Sequence, residues 1–100
     1  MSQYDLSSLY EFVLHTPEQG LRKMLVDGKP ITDVHLNLLL KIVRGCQADE
    51  FANCFEQQQF PKVKMGPAEQ KIKEKFWQDI EQGCNSRGLL NPAVATKVAA

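Results

Sequence analysis

No stretch of this sequence is apolar over the roughly 18 residues that a membrane-crossing helix needs. Its first residues, MSQYDLSS, have neither the positive region nor the apolar run of a signal peptide. A soluble, cytoplasmic protein is the expectation. Charge of one sign is also lacking, with twelve basic side chains set against twelve acidic ones, so no global field draws the molecule to nucleic acid or to an anionic membrane. Cysteine is sparse: Cys46, Cys54 and Cys84 are odd in number and widely spaced within helix-like sequence, a pattern unlike a disulfide framework or a zinc site. They read as reduced thiols.

Chemical motifs are missing as well. There is no glycine-rich phosphate loop, nucleophile elbow, zinc-protease helix or calcium loop, and nothing implies a catalytic residue, a metal or a cofactor. The expectation is that the protein is not an enzyme. Internal repeats and low-complexity tracts are absent too, and one hundred residues is the length of one ordinary domain. The division expected is a single helical domain over 1–90 and a C-terminal segment over 91–100, a short helix or a frayed tail.

What is present is helix grammar. The stretch ITDVHLNLLLKIVR, 31–44, wound at 3.6 residues per turn, puts Asp33, Asn37, Lys41 and Arg44 on one stripe and apolar side chains nearly everywhere else. A helix so apolar is covered on several sides. The fold class predicted is therefore all-α: a small bundle of four main helices around this central helix, about 33–44, with a short fifth helix at the C-terminus.

Around it the elements read in order. Asp5 is placed to cap a helix over 6–14 that buries Leu6, Leu9, Tyr10 and Val13. Thr16-Pro17-Glu18-Gln19 reads as a capping-box start to a short second helix with Leu21, Met24 and Leu25 on its apolar side. Asp27-Gly28 ends that helix as a turn, or alternatively forms the tip of a small β-hairpin. Thr32 or Asp33 caps the central helix, and Gly45 stops it in the left-handed position. The helix 48–58 carries Phe51, Cys54 and Phe55 on one face and should lie back antiparallel on the central helix. A linker, 61–66, then leads to a longer helix, 67–82, closed by Gly83 and docking through Ala68, Ile72, Phe76 and Ile80.

Few residues invite a functional reading. His35 lies on the apolar arc of the central helix with no Asp, Glu, Cys or second His one turn away, so it reads as a core histidine satisfied by a backbone carbonyl. His15 complements the carbonyl end of its helix. Cys54 is on a core face, while Cys46 and Cys84 sit beside glycines and are expected to be more exposed; spacing alone pairs neither with a histidine as a nucleophile.

The stretch 60–77 is different. It holds five lysines against Glu69 and Glu74, net plus three, whereas 1–59 is net minus three. Trp77 lies beside the Ile72 and Phe76 stripe, where it closes the rim of the core or anchors a partner. The function expected is a small regulatory or adaptor protein that binds another protein through Trp77, Lys73, Gln70 and Lys64. The alternative is a DNA-binding transcriptional regulator, a loose helix-turn-helix with Lys71, Lys73 and Lys75 on its reading helix. Against that reading stand the long break before the helix and the pairing of Glu69 with Lys73 expected from their spacing. The polar stripe of the central helix, with Asp33 at one end and Arg44 at the other, also suits a homodimer of antiparallel copies whose stability falls with salt.

Overall fold

A computed structural model describes residues 4–26 and 30–90. Six α-helices form the body, α1 (Leu6–His15), α2 (Glu18–Leu25), α3 (Asp33–Gly45), α4 (Ala48–Gln57), α5 (Pro67–Ile72) and α6 (Phe76–Ser86), with a 3-10 turn at Lys73–Lys75. No strand element occurs among the described residues. The last ten residues, for which the sequence predicts a short further helix, lie outside them, as does the Asp27-Gly28 turn.

The central helix is central. α3 touches α1, α2, α4 and α5, and it buries His35, Leu36, Leu38, Leu39, Leu40, Ile42 and Val43. Asp33, Asn37, Lys41 and Arg44 are exposed, as the helical period requires. Removal of so much apolar area from water is the main force available to hold the bundle together. α4 packs more on α1 than on α3, because Cys46 and Gln47 between them are extended and carry the chain sideways. The Tyr10 hydroxyl donates to the Cys46 carbonyl at 2.6 Å and fixes that crossing.

Capping differs from the sequence reading at Thr16 and at Gly45. Asp5 caps α1 as expected, accepting from the Ser8 amide. Thr16, however, serves the helix before it: its hydroxyl and its amide both donate to the Phe12 carbonyl, and α2 starts behind Pro17 with no side-chain cap. With only two residues between helices, the orphan carbonyl of α1 is within reach of that hydroxyl. Met24 on α2 is 43% exposed, whereas Leu21 and Leu25, one turn apart, carry the burial. Gly45 is the last residue of α3 and is not left-handed; the left-handed residues described are Gln58, which ends α4, and Gly88.

The expected single helix over 67–82 is broken. Three residues wound at 3.0 rather than 3.6 per turn rotate α6 by roughly 60° relative to the course of an unbroken helix. A stripe drawn across the break therefore mixes two faces: Ala68 is exposed, Glu69 is buried, and Phe76, Trp77 and Ile80 are buried together.

Nor does Gly83 close the last helix; α6 runs through it to Ser86, carrying Cys84 into the core. A Cβ at position 83 would stand 2.7 Å from Cγ1 of Ile31 and closer still to its Cδ1, and Ile31 is itself 1% exposed. Gly83→Ala is expected to lower stability by about 1–2 kcal/mol, because overpacking outweighs the gain in helix propensity. Urea unfolding followed by circular dichroism would read the loss; an unchanged or higher midpoint would show that Ile31 gives way freely.

Candidate functional site

Four phenylalanines surround Trp77, and they decide its role. Its ring lies 5.9 Å from Phe51, 5.5 Å from Phe55, 5.8 Å from Phe60 and 4.9 Å from Phe76, and the residue is 3% exposed. Its indole N–H donates to the Gln59 carbonyl at 2.7 Å. Trp77 is thus a core residue, and the expectation that its ring forms a partner edge is corrected. A buried indole needs an acceptor, and the break after α4 leaves a carbonyl free of the helix to supply one.

His35 is buried as expected, but a carboxylate rather than a backbone carbonyl satisfies it. Nε2 lies 2.9 Å from Oδ2 of Asp79 on α6, and the ring stacks over Phe76 at 6.1 Å. Nδ1 accepts the Thr32 amide at 3.1 Å while the Thr32 hydroxyl accepts the His35 amide, so histidine completes a capping box at the start of α3. Thr32 Oγ1 is also 2.9 Å from Nδ1, which gives the three side chains the look of a hydroxyl, imidazole and carboxylate relay. A relay needs the nitrogen facing the hydroxyl to be free to take its proton. Here an amide N–H already occupies that lone pair, which places the ring proton on Nε2 toward Asp79. The cluster ties α3 to α6.

The remaining reactive groups are equally enclosed or quiet. Burial pushes the Cys84 thiol up to about 11, and burial followed by the nearby Glu50 carboxylate pushes Cys46 up to about 11. Neither is poised as a thiolate nucleophile. Cys84, expected to be the more open, is fully buried, Cys54 lies in the core and Cys46 is half-buried. His15 is exposed and pairs with Glu11 at 2.8 Å on its own helix. Among the described residues, no three His, Cys, Asp or Glu side chains stand together as a metal site would require.

The lysine-rich stretch lies outside the core. Lys62, Lys64, Lys71, Lys73 and Lys75 are all exposed, as is Gln70. Lys73 holds its ammonium 5.8 Å above the Phe60 ring. The expected pairing of Glu69 with Lys73 does not form. Glu69 is 7% exposed and instead accepts from Lys41 of α3 at 2.8 Å and from the Gly66 amide at 2.7 Å. Lys41 also donates to the Lys64 carbonyl at 3.0 Å, fastening the linker against α3. With Glu69 drawn inward, Glu74 is the one exposed acid among five exposed lysines between residues 60 and 77. Lys71, Lys73 and Lys75 share no continuous helix face, since α5 has six residues and the 3-10 turn follows.

The Lys41 hydrogen bond, aided by the Gly66 amide and opposed by burial, holds the Glu69 carboxyl below its ordinary value of 4.5. A carboxyl depressed in the folded state adds stability above its unfolded value, and that stability is lost as pH falls through the folded one. Glu69→Gln is expected to cost about 1.5–3 kcal/mol at neutral pH, the range for a charged hydrogen bond. The cost should shrink as pH falls below the ordinary carboxylate range. Chemical unfolding of both proteins at neutral pH and at the acid edge of folding tests this; a constant difference would mean that the pair does not titrate.

Between α3 and the linker runs a groove of about 630 Å³ lined by Leu40, Lys41, Arg44, Val63 and Lys64 among others. The charges in it are largely answered within the chain, Lys41 by Glu69 at 2.8 Å and Arg44 by Glu18 at 3.9 Å, and at the far end of the α3 stripe Asp33 accepts from Arg22 of α2 at 2.8 Å. Both ends of the stripe that an antiparallel copy would use therefore face α2 of the same molecule. No helix among the described residues is long and apolar enough to cross a membrane. Comparison of the chain with protein-family models, with curated proteins and with solved structures finds no match. Geometry alone accordingly carries the functional reading.

Proposed function

We propose that the protein is a small non-enzymatic regulator or adaptor that acts by binding another protein through the basic surface of residues 62–75, with Lys64, Gln70 and Lys73 among its contacts. One observation carries the reading: the fold withdraws Glu69 into a pair with Lys41 and leaves the lysines with little opposing charge. Such a surface raises the encounter rate with an acidic partner and discriminates against basic ones. Occupancy of a surface, rather than chemistry, fits the enclosed imidazole of His35 and the raised thiols. Three cysteines without a disulfide, two of them buried, fit a cytoplasmic setting.

Double-stranded DNA is the second reading, favoured by the same exposed lysines. Against it, α5 has six residues and is too short to lie along a major groove. One experiment separates the two. Lysine-directed cross-linking in native extract, with and without nuclease, is expected to join Lys62, Lys64 or Lys73 to a protein, and Lys64→Glu with Lys73→Glu should also abolish the product formed through Lys62, which keeps its amine, without changing helical content. Nuclease-sensitive products, with salt-dependent anisotropy of a labelled mixed-sequence duplex, would assign the surface to DNA. Protein cross-links confined to lysines outside residues 62–75 would overturn the protein-binding reading, and no salt-dependent duplex binding would overturn the DNA one.

A further inference from the structure

Residues 63–66, the last part of the connection from α4 to α5, run without helix or turn, and Gly66 at their end is extended, with φ of −77° and ψ of 177°. Their burial alternates: Lys62 and Lys64 are exposed, while Val63 and Met65 are half-buried against the core. That is the pattern of a β-strand lying on a protein surface. Its polar main-chain groups alternate as well. The Lys64 carbonyl receives Lys41, and the Gly66 amide donates to Glu69, so the groups of residues 64 and 66 turn toward α3 and α5. In extended chain the groups of the intervening residues turn the other way. The amides and carbonyls of Val63 and Met65 have no hydrogen-bond partner within the described chain.

We infer that Val63 and Met65 form a short strand edge onto which an extended segment of the partner protein adds, in a segment that alternates acidic and apolar residues. The inference rests on the protein-binding reading above and names its mode. Main-chain pairing supplies the affinity of strand addition, and alternate side chains supply its specificity. On one face the added strand meets Lys62 and Lys64, which calls for carboxylates; on the other it continues the Val63 and Met65 surface, which calls for apolar side chains. A second copy of the same segment is the wrong occupant, because antiparallel pairing of LysValLysMet with itself sets lysine beside lysine. A nucleic acid offers no extended run of peptide groups to pair.

The probe is a blocked seven-residue peptide alternating Glu with Val. Saturating peptide is expected to slow hydrogen exchange of the Val63 and Met65 amides at least tenfold. Methylating the peptide's alternate amide nitrogens should weaken binding at least tenfold at unchanged charge, as should Lys64→Glu in the protein, and replacing Glu by Lys in the peptide should remove binding. Equal binding by the methylated peptide, or shifts at the lysines without protection at residues 63 and 65, would overturn strand addition while leaving an acidic protein partner in place. Absence of binding by the alternating peptide overturns the inference alone, since the cross-links judge the protein-binding reading. Protection of both amides by a short DNA duplex would also overturn it.

Discussion

Trp77→Ala is expected to cost about 3–5 kcal/mol of folding stability, the range for truncating a large buried aromatic. Four phenylalanine rings lose a neighbour, and the Gln59 carbonyl loses its donor. For a domain whose whole stability is of order 5–15 kcal/mol, that is about a third or more of the total at the middle of the range and most of it at the low end. Trp77→Phe should cost less, keeping much of the ring contact while losing the hydrogen bond. Because the variants lack the indole, their unfolding is followed by far-ultraviolet circular dichroism. A loss below about 1 kcal/mol for the alanine variant, the size expected of surface changes, would return Trp77 to the surface and reopen it as a partner contact.

The second large effect is expected at His35. Its removal by His35→Ala opens a cavity over Phe76, leaves the Thr32 amide without its acceptor and strips Asp79 of its partner, for a total of about 2–4 kcal/mol. Asp79→Ala should cost less, since the Asp79 side chain is 26% exposed and water can replace part of what it provides. In a double-mutant cycle the two changes should couple by about 1–2 kcal/mol. Additive losses would show that the imidazole and carboxylate are neighbours without being partners. Nitrogen-15 spectra of the imidazole offer an independent check: the proton belongs on Nε2, and a resting proton on Nδ1 would contradict the assigned cap.

How much of this was legible in the sequence depends on the range of each interaction. The α3 stripe, the Asp5 cap and the Phe51 face of α4 were readable because they are set by residues within a turn or two of one another. The 3-10 turn at Lys73–Lys75 was not. It resets the phase between α5 and α6, so the stripe through Ala68 and Phe76 mistook two faces for one. Thr16 and Thr32 show the limit of local signals: both are fit to cap, and only the spacing of the helices around them decides which end each serves. The carboxylate that satisfies His35 comes from α6, beyond the reach of any pattern on its own helix. At the candidate site, the exposure of Lys64, Gln70 and Lys73 agrees with the sequence reading, but the inward turn of Glu69 depends on Lys41 and lay outside it.

The contact between Gly83 and Ile31 bears on how this sequence can change over time. The two residues draw on one small volume at the crossing of α6 with the chain entering α3, so neither is free to vary on its own. Bulk acquired at position 83 demands trimming at position 31. In the variant Gly83→Ala, a further Ile31→Val should therefore recover stability, although Ile31→Val alone removes a methylene from a full core. In descendants of this chain, such pairs of changes would be the mark by which the same packing could be recognised after the surface had drifted.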